Sequence, residues 1–238
     1  MALMGSGVLA IWNGVEPGAD DDFIEWHVLE HIPERVGIPG FLRGRRYIAV
    51  DGHPRYFNFY ETADPGVLTS PAYKARLDDP TDWTRQNISR FRDTCRTICS
   101  VTVSLGRGEG AWIETLRLTA DSDPDAFRAA LAGSVLPAVL SQTGIVGAHL
   151  LQGEAAASQG NSTEKKLRGQ PDQIADWIVL IEAVEEQPLR TGRDGAASDA
   201  ALRNAGAGPE IVRGIHRLQF ALTNSELERG ATAPVRWR

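Results

Sequence analysis

Two stretches of the chain show the same succession of hydrophobic patterns. Short apolar runs with a period near two alternate with segments in which apolar residues recur every three or four positions. The first pattern is typical of strands and the second of amphipathic helices. The first stretch predicts strands at 7–13, 41–50, 55–62 and 94–105, a helix from about residue 21 to residue 36, and a mostly helical segment at 71–92 that is interrupted near Asp79-Pro80. The predicted order is β-α-β-β-α-β.

The second stretch repeats that order after a glycine-rich linker at 106–110. Strands are predicted at 111–119, 146–154, 173–184 and 211–223, with helices at 124–142 and 198–206. We therefore predict a first unit at 1–106 and a second unit at 111–238. The second unit has an inserted polar segment at 153–172, whose small polar residues predict a mobile surface loop.

The two units also align in sequence without a gap when the chain is shifted by 104 positions. The shift lays Phe23 on Phe127, Pro33 on Pro137 and Gly40 on Gly144. It also lays His27 on Leu131. His31 falls on Val135. A fold that accepts Leu and Val at these positions does not need histidine for folding, so the histidine pair is the best candidate for chemistry.

Two β-α-β-β-α-β units in tandem predict an α+β protein made of two ferredoxin-like units. Each unit leaves one face of its antiparallel sheet uncovered, and we expect the two sheets to pack face to face as a pseudo-dimeric α/β barrel. Such a chain would be a monomer with an internal pseudo-dimer, or a homodimer. The architecture offers up to two pockets, one in each unit.

Composition and charge narrow the class of partner. The chain has 238 residues, a hydrophobic content of 42% and a net charge of -6. The arginines are scattered, so we expect no binding to nucleic acid. The longest apolar runs fall far short of the ~20 residues that span a bilayer, so we expect no membrane insertion. The first residues lack the features of a signal peptide, and we expect a cytoplasmic protein.

Cys95 and Cys99 are the two cysteines of the chain. On one strand their even spacing directs both side chains to the same face, where a disulfide along the strand is awkward. We therefore expect two reduced thiols without a catalytic role.

The predicted helix at 21–36 carries the histidine pair at the edge of its apolar stripe. Ile24, Val28, Ile32 and Val36 form that stripe on a helical wheel. His27 and His31 are four residues apart and stack on one side of the helix. An imidazole there can transfer protons near neutral pH. Of the neighbouring carboxylates, Glu34 is better placed than Glu30.

Aromatic side chains are expected around the pair, although several of them would be core residues in any case. They are Trp12, Trp26, Tyr47, Tyr56 and Tyr60. Tyr47 and Tyr60 carry hydroxyls that could orient a ligand or an imidazole. An alternative interpretation is that both histidines are partly exposed helix residues that hydrogen-bond locally.

The segment from His27 to His31 also matches H-x-x-E-H, a zinc-peptidase pattern in which Glu30 would activate water. A further carboxylate ligand is needed downstream, and the one available is Glu109 in the linker. The match is therefore formal, and no metal is expected.

The motif W-H-x-x-x-H-x-P at 26–33, followed by P-G-F at 39–41 and R-R-Y at 45–47, resembles the dimeric α/β-barrel superfamily, especially its EthD-like branch. The resemblance covers 7–105 well and 111–224 only as architecture. The superfamily includes cofactor-free monooxygenases, muconolactone-type isomerases, polyketide dehydratases and cyclases, and haem enzymes. The resemblance implies that His27 and His31 line a pocket.

The leading hypothesis is a cofactor-independent lyase or isomerase that acts on a small hydrophobic cyclic compound, aromatic or polyketide-like. His31 would be the general base and His27 its partner, with Tyr60 or Tyr47 donating to a developing oxyanion. Trp12, Trp26, Tyr56 and Glu34 would contact the substrate. The alternatives are a non-catalytic protein that binds small ligands or responds to stress, and a metal- or haem-dependent enzyme.

Overall fold

Eight antiparallel strands form a closed barrel in the computed structural model, which describes residues 3–121 and 123–230. The strands are β1 (Gly7–Val15), β2 (Phe41–Asp51), β3 (Tyr56–Thr62), β4 (Phe91–Gly106), β5 (Trp112–Ala120), β6 (Ile145–Gly153), β7 (Trp177–Ala183) and β8 (Ala207–Thr223). The predicted strands are all present, and the fold is a mixed α+β barrel.

The order of the strands around the barrel is β1-β3-β2-β8-β5-β7-β6-β4. The first four strands therefore occupy one continuous half in the order β4-β1-β3-β2. The last four occupy the other half in the corresponding order β8-β5-β7-β6. Pairing of β2 with β8 and of β4 with β6 joins the halves along both edges. We predicted two sheets packed face to face, and the hydrogen-bonded edges join them into one barrel around a shared interior.

Helices cover the outside of the barrel. In the first half they are α1 (Asp20–Trp26), α2 (Ile32–Val36), α3 (Pro71–Asp78) and α4 (Asp82–Ser89). The predicted interruption near Asp79-Pro80 falls between α3 and α4. The second half has α5 (Pro124–Ala130), α6 (Leu136–Leu140), α7 (Ala155–Ser158), α8 (Thr163–Leu167), α9 (Glu186–Arg193), α10 (Asp199–Asn204) and α11 (Asn224–Gly230). Among the described residues, no helix is long and apolar enough to cross a membrane.

A wide π-helical turn joins α1 to α2 over His27–His31, and a second one joins α5 to α6 over Leu131–Val135. In the first turn the backbone N–H of Ile32 donates to the carbonyl of His27, five residues earlier. The following residue is Pro33, which has no N–H and whose ring clashes with the carbonyl four residues before it. A proline therefore widens the helix at the same place in both halves. The turn is therefore a feature of both halves and forms without the histidines.

Side chains from both halves fill the interior of the barrel. The interior cluster includes Trp12, Tyr47, Phe57 and Phe59 from the first half and Ile113, Leu151, Ile178 and Leu180 from the second. Separate apolar clusters lie between the sheet and its covering helices. Both faces of most strands are thus buried, and β3 and β7 are buried at every position.

The polar insert at 153–172 differs from the predicted surface loop. It contains α7 and α8, and α8 packs against α3 and α4 of the first half. The backbone N–H of Ile98 in β4 donates to the Ser158 hydroxyl over 2.9 Å. The Ser162 side chain caps α8 by accepting from the N–H of Lys165. Polar residues of the insert thus cap a helix and form buried hydrogen bonds with the first half. Polar composition alone does not distinguish these roles from exposure on a surface loop.

Both cysteines are free and fully buried in the barrel interior, with exposed fractions of 1% for Cys95 and 0% for Cys99. Burial raises the pKa of the Cys99 thiol well above its usual value. Because both side chains are shielded from solvent, both groups should be nearly inert to a thiol reagent in the native protein at pH 8. Unfolding in urea under non-reducing conditions should release two titratable thiols. A count of zero in the unfolded sample would contradict the reduced state.

Candidate functional site

The π-helical turn stacks the two histidines on the side of the helix that faces the sheet. Their ring centroids lie 5.3 Å apart with an interplanar angle of 19°. The exposed fractions are 2% for His27 and 7% for His31. The alternative of partly exposed helix residues is therefore wrong, because the widened turn directs both rings inward.

Tyr60 meets the pair from β3, where its hydroxyl lies 3.3 Å from Nε2 of His27. Its close approach depends on Gly44, the register partner of Tyr60 on β2. A Cβ at Gly44 would lie 3.0 Å from the Tyr60 ring. In the second half the corresponding register pair is Ala148 with Ile181. The half that carries the histidines thus pairs a tyrosine with a glycine, whereas the other half pairs an isoleucine with an alanine.

Aromatic rings hold the imidazoles in place. Phe23 stacks on His27 with centroids 5.0 Å apart, and Trp26 lies 4.3 Å from His31. The indole N–H of Trp26 donates to the Thr84 hydroxyl over 3.2 Å. Nδ1 of each histidine is buried and has no hydrogen-bond partner among the described residues. Such unpaired buried nitrogens are unusual in folded proteins and point to a partner from outside the chain.

Burial, aided by the nearby arginine charges, keeps the two imidazoles neutral. Burial lowers the pKa of His27 well below 6.5, and the Arg46 and Arg35 guanidiniums lower it further. Burial likewise lowers the pKa of His31, with added effects from Arg35 and His27. Burial raises the pKa of Tyr60, so this phenol stays protonated. At neutral pH the site therefore has two imidazoles that can accept a proton and cations that would stabilise an anion.

His31 borders a small cavity of about 30 Å³ between the helix, the sheet and α8. Its polar lining includes Tyr60, Arg35, Tyr73, Arg96 and Glu164. This volume suits one or two water molecules and is far below the ~300 Å³ of a typical ligand pocket. A ring compound can enter only if the covering segment moves outward.

A much larger groove of about 590 Å³ lies along the other side of the helix. Ile24, Val28, Arg46 and Phe220 line it, and neither histidine does. We expected both histidines to line a pocket. Instead His31 borders the small one, because the widened turn points the imidazoles at the sheet.

Arg35 is a site residue that is absent from the predicted set. It lies 2% exposed and forms an ion pair with Glu164 of α8. In the shifted alignment Arg35 falls on Val139, so the comparison that singled out the histidines also marks this position. The alignment therefore marks Arg35, but a lone arginine on a predicted helix is most often exposed to solvent, so its residue type does not by itself indicate a site.

Tyr47 and Trp12 do not belong to the site, although both were predicted there. Each points into the barrel interior, on the opposite face of the sheet from the histidines. Successive strand residues alternate between faces, and Tyr47 is on the face of Arg45 while its neighbour Arg46 faces the helix. Trp12 donates its indole N–H to the Thr115 hydroxyl over 3.1 Å.

The remaining predicted residues surround the pair without reaching the small cavity. Tyr56 packs on Phe23 at 4.5 Å and donates its hydroxyl to Asp20 over 2.6 Å. Glu34 lies 3.3 Å from the Arg35 guanidinium, and burial raises the pKa of its carboxyl. These side chains position the helix and do not contact the cavity.

The zinc-peptidase pattern is not assembled. Glu30 accepts hydrogen bonds from Trp26 and Thr84, pointing toward α4. Glu109 forms an ion pair with Arg43 on the barrel side of the sheet. Within 3–121 and 123–230, no group of three or more His, Cys, Asp or Glu side chains is arranged to hold a metal ion.

Comparison with known proteins identifies the fold. No family profile and no curated protein match the sequence. An anthrone oxidase-like protein of known structure aligns over 93% of this chain and 94% of its own, with a TM-score of 0.63 and 15% identity. A candidate monooxygenase from Fusobacterium nucleatum covers 93% and 96%, with a TM-score of 0.58 and 8% identity. A mutant chlorite dismutase from Candidatus Nitrospira defluvii covers 96% and 95%, with a TM-score of 0.53 and 11% identity. At these identities the likeness shows a shared fold and nothing beyond the fold.

Replacing His31 by Val should change the free energy of unfolding by no more than about 1 kcal/mol. The variant loses packing against Trp26, but it also removes a buried nitrogen without a partner, and Val135 already occupies the same π-helical turn in the second half. Urea unfolding at pH 7.5 measures the change. Ile32→Ala is the matched control, since this fully buried apolar residue should cost about 2 to 5 kcal/mol. A loss for His31→Val equal to that of the control would assign the histidine to folding.

The lowered histidine pKa values predict a loss of stability in acid. Below the unfolded value near 6.5, the unfolded chain takes up protons that the folded protein excludes. Each excluded proton should reduce the free energy of unfolding by up to about 1.4 kcal/mol per pH unit, until the folded pKa is reached. Urea unfolding between pH 7.5 and pH 5 should show this slope.

In the His31→Val protein, the slope of the free energy of unfolding against pH should be smaller by the contribution of one proton. Ile32→Ala should lower stability without changing the slope, because it removes no titratable group. Equal slopes in wild type and His31→Val would contradict a neutral His31.

Proposed function

We propose that the cavity beside His31 binds a small, largely apolar ring compound and that the protein is a cofactor-independent lyase or isomerase acting on it. The observation that carries this proposal is a neutral, buried imidazole whose Nδ1 has no partner, at the edge of a cavity that also contains a guanidinium and a phenol. Proton abstraction next to a carbonyl uses these three groups.

The proposed reaction begins with transfer of a proton from a carbon next to the substrate carbonyl to Nδ1 of His31. The electron pair of the broken C–H bond moves onto the carbonyl oxygen, which becomes an enolate. Arg35 and the Tyr60 hydroxyl stabilise this charge, and His27 holds Tyr60 through the 3.3 Å contact. The imidazolium then returns its proton to another carbon, giving an isomer, or to a departing group, giving elimination.

Arg35 favours this step because it remains a cation while the substrate becomes an anion. Its positive charge lowers the basicity of His31 and stabilises the enolate at the same time. A weak base can remove the proton when the site also makes the C–H group of the substrate more acidic. This pairing favours substrates whose C–H bond is already activated by a carbonyl.

A cofactor-free monooxygenase is the second candidate, favoured by the anthrone oxidase-like and candidate monooxygenase structures that share the fold. It begins with the same proton abstraction, after which the carbanion reacts with dioxygen. A protein that only binds a ligand is the third possibility, and it would show no proton abstraction.

Haem does not fit the π-helical turn of either half. In the first half the histidines are packed between aromatic rings beside a cavity of about 30 Å³. In the second half the equivalent turn carries Leu131, which is fully buried in an apolar cluster, and Val135, which packs against it. Neither position combines an imidazole with open space for a macrocycle.

The origin of the two halves belongs to the same proposal. The identical strand order of the halves and the paired π-helical turns support a tandem duplication of a ferredoxin-like unit. The motif around the histidines supports a relationship to the EthD-like branch. On this view the first half kept the chemistry and the second half kept only the architecture.

Exchange of carbon-bound protons with solvent deuterium tests the first step without knowledge of the natural substrate. Anthrone, 2-tetralone and 1-indanone in D2O should exchange their activated protons faster with the protein than with buffer, as measured by proton NMR. His31→Val should lower the exchange rate by about 10² to 10⁴-fold, and Tyr60→Phe by a smaller factor.

His53→Ala is the matched control, since this histidine lies on an exposed turn and should leave the rate unchanged. Measurement of oxygen uptake in the same samples separates a monooxygenase from an isomerase. Binding of these ketones without any exchange above buffer would exclude proton abstraction and favour the ligand-binding protein.

A further inference from the structure

One of the three arginines at the small cavity has no carboxylate partner among the described residues. Arg35, Arg96 and Arg168 line it. Arg35 pairs with Glu164, and Arg168 forms two hydrogen bonds of 2.7 Å with Asp172. Arg96 donates to the Tyr73 hydroxyl over 2.9 Å and has no carboxylate within ion-pair distance among the described residues. The cavity therefore holds one guanidinium with no carboxylate in direct contact among the described residues.

Arg35 is itself incompletely satisfied. Its Nη1 lies 3.3 Å from the Glu34 carboxylate, in an ion pair without hydrogen-bond geometry. Its Nη2 binds Glu164, so one planar guanidinium shares its donors between two carboxylates. Guanidinium groups bind a single carboxylate best through two parallel N–H donors. The present arrangement leaves room for a better partner at Arg35.

Glu164 reaches Arg35 from the second half of the chain, on the five-residue helix α8 (Thr163–Leu167). The insert is attached to β4 at both ends, where Glu154 N–H donates to the Ile98 carbonyl and Arg96 N–H donates to the Gln173 carbonyl. Between these attachments α8 contacts the first half through Glu164 and through the Thr163 N–H, which donates to Asp78 over 3.0 Å. Leu167 of α8 also packs against the apolar cluster beneath α1 and α4. The carboxylate of Glu164 thus closes the cavity, held by a short segment.

The closed cavity is too small for a ring. Even benzene needs a cavity of about 150 Å³, whereas this one measures about 30 Å³. Entry of a ring requires α8 to move outward, and that motion withdraws Glu164 from Arg35. A neutral ligand would leave the buried guanidinium with only the Glu34 contact, which lacks hydrogen-bond geometry, and the loss of a buried hydrogen-bonded partner is costly. A ligand that brings its own carboxylate would restore the pair.

We propose that the ligand of this cavity is a ring compound bearing a carboxylate, and that this carboxylate replaces Glu164 on Arg35 with Arg96 as the second cation. Glu164 is then an internal competitor that occupies the anion site until the ligand arrives. The inference rests on the proposed function only in placing the ligand beside His31.

Binding of 1-naphthoate and 1-naphthamide tests the inference, because the two probes share a ring system and differ in charge. Calorimetry at pH 7.5 should show naphthoate binding wild type at least about tenfold more tightly than naphthamide. Glu164→Gln removes the competing charge with little change of shape. It should tighten naphthoate binding by about tenfold and change naphthamide binding by less than about twofold.

Two further variants keep the test decisive. Arg96→Gln leaves the contact of Arg35 with Glu164 in place and should weaken naphthoate binding by about tenfold without changing naphthamide binding. Glu186→Gln removes a carboxylate of α9 that pairs with Arg190 on the surface, and it should change neither affinity. Equal affinity of wild type for both probes, failure of both to bind, or an Arg96→Gln protein that binds both as wild type does would overturn the inference.

The proton-exchange measurement distinguishes failure of the proposed function from failure of the carboxylate site. Exchange of neutral ketones together with equal binding of the two probes would retain the proposed function and overturn the carboxylate site. Selective naphthoate binding without exchange would retain the carboxylate site and overturn the catalytic role of His31.

Discussion

Closure of the barrel determines where a ligand can bind. Because β2 pairs with β8 and β4 with β6, the sheet has no free edge and its interior is filled by side chains from both halves. The space that remains adjustable lies between the outer face of the sheet and the helices that cover it. The π-helical turn opens toward that space, and the histidines that it carries meet Tyr60 there.

The site is asymmetric although the strand order of the two halves is the same. At corresponding positions the first half has His27, His31 and Arg35 where the second has Leu131, Val135 and Val139. The second half is therefore packed as a simple apolar layer, while the first carries buried polar groups that need partners. One of those partners, Glu164, is supplied by the second half, so the site is built from both parts of the chain.

The sequence predicts the succession of elements well, because turn residues and periodicity are local properties. The break near Asp79-Pro80 and the histidine pair also follow from local pattern. The face of the sheet on which Tyr47 and Trp12 lie does not. Both faces of these strands are buried around the two residues, so the alternation of polar and apolar residues that usually assigns a face is missing. Nor does composition reveal that Glu164 has a buried arginine to bind.

The insert that closes the cavity and the helix that carries His31 lie in different halves of one polypeptide. A mutation can therefore alter one of them without altering the other. In a symmetric homodimer each substitution appears twice, so a segment reshaped to seal one site reshapes its counterpart as well. Here the helix with His31 and the insert with Glu164 each occur once. The insert can lengthen, shorten or change charge while the first half keeps its histidine pair. Under the proposed function, selectivity for ligands can therefore change independently of the groups that transfer protons.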